Sequence, residues 1–167
     1  YLGPSYSNSE IKKYLDSNEY KYTELSEDEM PEKIADLIAK EKVIGWFQGR
    51  MEFGPRALGS RSIIGDARSP KTQKIINLKI KYRESFRPFA PSVLEEKMYD
   101  YFDIDRPSPY MLLVADVKKE IQVEMSKDEE KYFGLKKLNI PRSKIPAITH
   151  VDYSARIQSV SVKTNPK

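Results

Sequence analysis

Val43-Ile44-Gly45-Trp46-Phe47-Gln48-Gly49-Arg50-Met51-Glu52-Phe53-Gly54-Pro55-Arg56-Ala57-Leu58-Gly59-Ser60-Arg61-Ser62-Ile63-Ile64-Gly65-Asp66 is the stretch whose reading decides the fold. Its first five residues are a short apolar run, read as a buried strand stopped by Gln48-Gly49. Gly54, Pro55 and Gly59 then break any helix or strand longer than one turn, so Arg50 to Ser62 reads as a loop. Ser62 to Asp66 returns as a strand. Helical patterns flank this segment. Upstream, Ser26-Glu27-Asp28-Glu29 is a capping box, in which the serine oxygen accepts an amide and Glu29 reaches back. Met30, Ile34, Leu37 and Ile38 continue it as an apolar stripe at helical spacing, ending near Lys42. Downstream, Ser69-Pro70 reads as the N-cap and first turn of a helix carrying Ile75, Ile76 and Ile80. Strands interleaved with helices indicate an α/β domain.

Working outward, Tyr1 to Leu25 reads as a leading linker segment with a turn at Gly3-Pro4-Ser5 and a short helix over Ser9 to Leu15. Residues 26–167 form the domain proper. Lys81 to Pro88 is a second charged loop, and Phe89 to Leu94 a strand that Pro91 confines to an edge or a bulge. A loop over Tyr101 to Pro109 precedes a strand over Tyr110 to Val117. Lys118 to Lys137 is charge-rich with little periodicity and reads as a mobile surface excursion. Ile145 to Val151 and Ala155 to Val162 read as two further strands. Trp46 and Phe47 are expected in the core.

Composition narrows the function classes. A chain of 167 residues fits one domain. A hydrophobic share of 39% with 32% charged and 11% aromatic residues is globular with a polar surface. No apolar run approaches the roughly 20 residues of a membrane-spanning helix, and no signal peptide is visible. The absence of cysteine excludes disulfides, thiolate catalysis and cysteine zinc sites. It also fits a reducing cytoplasm, the expected location. The chain starts at Tyr1, which reads as a piece of something longer. Its net charge of +4 is uneven, because Arg50 to Arg87 holds ten basic and three acidic residues, +7, leaving −3 elsewhere. Such a local excess predicts an anionic partner at one place.

In the Gly49 to Ile63 stretch, glycine lets backbone amides approach an anion, and the guanidinium forks of Arg56 and Arg61 each match two phosphate oxygens. Glu52 is placed to orient Arg56 or Arg61. The ending of a Walker loop is missing, and no dinucleotide fingerprint follows either strand. His150 is the only histidine, which is too few for an imidazole metal site. Two other classes are compatible with these cations. Tyr82, Phe86 and Phe89 interleaved with basic residues could form an RNA-binding surface, although the cations sit in Gly-Pro-Arg loops more than in a stripe. A module that binds nucleotide without turnover, as an assembly surface, is the other.

The same Gly49 to Ile63 stretch resembles the C-terminal region of the O-carbamoyltransferase family of NodU/CmcH type, whose pattern is Gly-Arg-Met-Glu-Phe-Gly-Pro-Arg-Ala-Leu-Gly-x-Arg-Ser-Ile. Leu2-Gly3-Pro4-Ser5, Lys81-Tyr82-Arg83-Glu84-Ser85-Phe86-Arg87-Pro88-Phe89-Ala90-Pro91-Ser92 and Thr149-His150-Val151-Asp152-Tyr153-Ser154-Ala155-Arg156-Ile157-Gln158-Ser159-Val160 agree with it as well. The resemblance implies a YrdC-like α/β fold, a twisted mixed β-sheet with flanking helices. That fold is expected to be incomplete here, because the family's Asn-Thr-Ser-Phe-Asn stretch does not follow Asn165-Pro166-Lys167. It implies an enzyme part that binds ATP and carbamoyl phosphate with Mg2+ and forms carbamoyladenylate. An ASKHA-type N-terminal half of the same parent, holding a histidine-ligated iron, then transfers the carbamoyl group to a hydroxyl acceptor. Carried onto this chain, the resemblance makes Lys81, Arg83 and Arg56 the catalytic set. Arg61, Arg87, His150, Ser154 and Arg156 become the substrate- and nucleotide-binding set, with no metal ligand. Lys81/Arg83 and Ser154/Arg156 are i, i+2 pairs, which on extended backbone point to one side.

Overall fold

The computed structural model describes residues 1–165. Two compact units, Tyr1–Gly65 and Asp66–Lys167, divide the chain, a boundary downstream of the Leu25/Ser26 division read from the sequence. The whole is mixed α/β, with three small sheets rather than one continuous sheet among the described residues.

In the first unit, α1 (Asn8–Ser17) starts at a capping box, with the Ser7 amide donating to Glu10 Oε2 at 2.7 Å and the Glu10 amide to Ser7 Oγ at 3.3 Å. The expected box at Ser26 forms in the same way, with bonds of 3.1 and 3.3 Å to and from Glu29. It leads into α2 (Glu29–Ala39), where Met30, Ile34, Leu37 and Ile38 are the half-buried stripe and the remaining positions are exposed. Strands β1 (Ile44–Phe47) and β2 (Arg61–Ile64) pair antiparallel, Ile44 opposite Ile64 and Phe47 opposite Arg61. Ile44, Trp46, Ser62 and Ile64 are half-buried while Gly45, Phe47, Arg61 and Ile63 are exposed. The expectation of a buried strand with Phe47 in the core is therefore corrected. A two-stranded ribbon covers one face, and alternation puts Phe47 on the other. The leading residues are stitched to the loop: Gly3 donates to Met51 O and Met51 to Pro4 O, both at 3.0 Å, and Arg50 Nη1 donates to Gly3 O at 2.7 Å. A Cβ at Gly3 would stand 2.9 Å from Met51 Cβ, which is why glycine sits there.

In the second unit, the expected helix after Ser69-Pro70 begins as α3 (Thr72–Ile75) and widens to π geometry over Ile76–Ile80, closed by Lys81 N–H on Ile76 O at 2.9 Å. Ile76 and Asn77 are buried, whereas Ile80 is exposed, because the wider turn rotates it off the apolar face. Strand β3 (Ser92–Leu94) follows Pro91 and pairs parallel with β7 (Gln158–Val160). After α4 (Met98–Tyr101) comes an antiparallel sheet of β4 (Phe102–Asp103), β5 (Val114–Val117) and β6 (Ser154–Arg156). Met98, Phe102, Val117, Ile145, Ile148, Ala155 and Ile157 form the buried core.

Three expectations change here. The excursion Lys118 to Lys137 carries a 3-10 turn (Lys119–Ile121) and α5 (Lys127–Glu130), the latter with its own capping box at Ser126 and Glu129. Ile145 to Val151 is not a strand. Pro146 lacks an amide proton, and local hydroxyls take the backbone groups: Ser143 Oγ accepts from the Ile145 amide at 3.0 Å and Thr149 Oγ1 donates to Ile145 O at 2.9 Å. The last expected strand splits at fully buried Ile157 into β6 and β7, which belong to different sheets.

Candidate anion-binding site

The glycine- and arginine-rich loop of the first unit already holds an anion of its own. Glu52 is 6% exposed, and its Oε1 accepts the amides of Leu58 at 2.6 Å and Ser60 at 2.8 Å. Burial pushes this carboxyl up, but those two amides and the nearby Arg61 outweigh burial and hold it below the usual carboxylate range. Gly59, at φ +112, gives the loop the backbone that aims both flanking amides at one oxygen. Arg61 Nε lies 3.5 Å from Glu52 Oε2, and its Nη2 donates to Gly54 O. Glu52 thus orients Arg61, one of the two partners expected for it. Arg56 is half-buried, and its Nε is buried without a hydrogen bond among the described residues.

In the second unit the Lys81-Tyr82-Arg83 pair is not extended. Lys81 closes the π turn in right-handed backbone and Tyr82 takes φ +48, so the alternation argument fails at this pair. Lys81 is exposed, whereas Arg83 is half-buried and folds back. Its Nε donates to Asn77 Oδ1 at 2.6 Å, and its guanidinium carbon lies 5.0 Å from the Phe89 ring centre. Asn77, fully buried, donates from Nδ2 to Ser85 O at 3.0 Å and Arg87 O at 2.8 Å. One asparagine therefore shapes the whole loop from Arg83 to Arg87. The Arg87 side chain pairs with Glu84 at 2.9 Å.

The second pair, Ser154 and Arg156, does lie on a strand, β6, with Ala155 turned into the core between them. Ser154 is buried, and its hydroxyl donates to Asp152 Oδ1 at 2.7 Å and lies 3.0 Å from His150 Nδ1. The Asp152 carboxyl is held below its ordinary value first by the Ser154 hydroxyl and then by the Ser154 amide. Burial lowers His150, Asp152 opposes that, and the charge of Arg156 adds to the lowering, so the imidazole favours its neutral form.

A cleft of about 700 Å³ opens in this second unit. Ser85 and Phe86 border it from the Asn77-shaped loop, Thr149 and His150 from the turn before β6, and Lys71 and Lys74 from the helix. Its back wall includes Arg142, 4% exposed. Among the described residues no carboxylate lines it. Of the eight residues expected from sequence, His150 alone lines this cleft. Arg83 and Arg87 flank Ser85-Phe86 along the chain, and Ser154 touches His150.

The family described as Carbamoyltransferase C-terminus matches residues 35–167. The chain belongs to that family. An uncharacterized protein of Synechocystis is 59% identical over 169 residues, covering 100% of this chain and 28% of that protein. Nodulation protein NolO of Bradyrhizobium diazoefficiens is 44% identical over 142 residues, 83% of this chain and 22% of that protein. Nodulation protein U of Sinorhizobium fredii is 37% identical over 135 residues, 81% of this chain and 20% of that protein. The chain thus spans between a fifth and three tenths of the length of these relatives.

All eight expected site residues of this carbamoyltransferase C-terminal chain fall inside the matched range. Sequence reasoning missed Asn77, Arg142 and the specific placement of Lys71 and Lys74. The two lysines were visible only as part of the basic excess. Arg142 carries no periodic or motif signal, because its guanidinium is placed by the carbonyls of Lys137, Leu138 and Ile140. Among the described residues no group of three or more histidine, aspartate or glutamate side chains could hold a metal ion, and no helix is long and apolar enough to cross a membrane.

Proposed function

We propose that this chain is a YrdC-like carbamoyl-activating domain, which binds ATP and carbamoyl phosphate and forms carbamoyladenylate. One observation supports the reading most: in a carbamoyltransferase C-terminal chain, a cleft bounded by Ser85-Phe86, inside one motif stretch, and Thr149-His150, at the start of another, has cations and, among the described residues, no acid in its walls. Carbamate forms as carbamoyl phosphate loses its phosphate to water. A carbamate oxygen then attacks the α-phosphorus of ATP, the bond from that phosphorus to the bridging oxygen breaks, and pyrophosphate leaves with the electron pair. No protein nucleophile is needed, so the work of the chain is alignment and charge neutralisation.

Arg83, steered by Asn77 and Phe89, presents its Nη groups to phosphate, and Lys81 adds a point charge. Arg87, from the Asn77-shaped loop, and Arg156, from β6, supply further cations. Ser154 acts by fixing His150, because its hydroxyl is already engaged. In the first unit, Arg56 is a guanidinium suited to a phosphate-bearing ligand, and Arg61 holds its loop. Mg2+ travels on the nucleotide phosphates, since the described residues offer no carboxylate cluster for it. Transfer to a hydroxyl acceptor is the task of an ASKHA-type N-terminal half of a longer parent.

Calorimetric titration of the full chain with ATP, Mg2+ and carbamoyl phosphate tests this. Arg83→Lys keeps the charge but loses the fork, and should weaken ATP binding by about 1.5–3 kcal/mol. Arg68→Lys, in a pair with Asp66 away from the motifs, should change it little. Absence of ATP binding, or equal losses in both variants, overturns the proposal.

A further inference from the structure

We infer that the cleft of the second unit contains a phosphate subsite built from residues outside the family motifs, with Arg142 as its buried positive charge and Lys71 and Lys74 at its mouth. The inference rests on reading this cleft as a phosphate-binding face. Arg142 is the residue that needs explaining. Its Nη1 donates to Ile140 O at 3.0 Å and to Leu138 O at 3.4 Å, and its Nη2 to Lys137 O at 2.6 Å. Its Nε is buried without a hydrogen bond among the described residues. The Lys137 and Leu138 carbonyls are at the end of α6 (Leu135–Leu138) and that of Ile140 lies just beyond it; they satisfy protons but bring dipoles and no counter-charge. Among the described residues no carboxylate pairs with this guanidinium.

A guanidinium stays charged at any physiological pH, and a buried charge without a partner is costly. An anion entering the cleft meets that charge through low dielectric, where attraction is strongest. Lys71 and Lys74 line the same cleft, are exposed, and make no ion pair among the described residues. They are therefore available to an incoming anion without breaking an internal contact. Gln73 adds a neutral amide group to the walls, and with no acid among the described lining residues the cleft has nothing there to repel a phosphate. The ligand chemistry is a phosphate or diphosphate group, either free or as the tail of a nucleotide.

Pyrophosphate is the probe, titrated calorimetrically into the full chain, into Lys71→Gln/Lys74→Gln, and into Lys79→Gln as a control with a cation of the same helical segment that does not line the cleft. Wild type should bind, the double variant at least tenfold more weakly, and the control within twofold. Removing Arg142 would also uncap α6, so its part is read without mutation: the Arg142 Nε–Hε resonance should shift on adding pyrophosphate. ATP is then added to the pyrophosphate complex. Displacement assigns the subsite to the nucleotide tail, and simultaneous binding assigns it to a free phosphate ligand. Equal affinity in wild type and double variant, or a control that loses as much, overturns the inference while leaving ATP binding and its Arg83 dependence to stand. Absence of pyrophosphate binding overturns it as well, and ATP titration of the same sample reports separately on the carbamoyl-activation reading.

Discussion

The arginine-rich loop of the first unit and the cleft of the second respond to excess positive charge in opposite ways. In the loop, Glu52 occupies the amides that glycine frees, and it pairs with Arg61. Among the described residues no carboxylate lines the cleft, so Lys71, Lys74 and Arg142 border it without a paired acid. A glycine-rich basic motif is thus no measure of readiness for a ligand. What matters is whether the chain supplies its own anion, and only the folded backbone reveals that.

The sharpest way to break this contrast is Glu52→Ala. It leaves the Leu58 and Ser60 amides without their acceptor and Arg61 without its partner, and should cost about 2–4 kcal/mol of stability. Chemical denaturation of the full chain measures it, and a loss below about 0.5 kcal/mol, the size of an ordinary surface substitution, would mean that the loop does not depend on its internal anion. Next in size is Asn77→Ala, which removes two bonds to loop carbonyls and the one that steers Arg83. An expected loss of about 1–3 kcal/mol should come with weaker ATP binding. If stability falls while affinity stays unchanged, the Arg83 to Arg87 loop is structural only.

The smallest effect is in pH. Burial lowers His150 below the ordinary histidine value of 6.5, with Asp152 opposing and Arg156 reinforcing. Below that value the unfolded chain takes up a proton that the folded chain resists, so stability falls as pH drops from about 6.5 toward the lower folded value. His150→Gln should flatten this portion of the curve. The later loss, as Glu52, Asp66 and Asp152 protonate below the ordinary carboxylate range, should remain, because their depressed values stabilise the fold only above it. An unchanged slope in the His150 variant would place the titrating group elsewhere.

Legibility in the sequence followed the range of the interaction. The capping box at Ser26, the apolar stripe of α2 and the two short strands on either side of the Gly-rich loop were readable because each is set within a few residues. Strands at Ile145 and across Ala155 to Val162 were misread. Pro146 with the hydroxyls of Ser143 and Thr149 diverts the first, and the buried bend at Ile157 shares the second between two sheets. Among the site residues, Ser154 and Arg156 stand on the strand that the pairing argument needed. Lys81 and Arg83 do not, because a π turn and a positive φ at Tyr82 intervene.

The sequence by itself determined the family, through four ordered motifs, and the local excess of positive charge that calls for an anionic ligand. Tertiary structure decided which cations remain available to one. Charge and motif are properties of residue identity and short spacing, whereas compensation depends on which carboxylate, amide or carbonyl arrives within about 3 Å after folding. Glu52 reaches amides six and eight residues ahead of it, Asn77 reaches carbonyls eight and ten ahead, and Arg142 reaches carbonyls but no acid. Those distances are set by how the backbone turns between the partners, and no spacing of residue types encodes them.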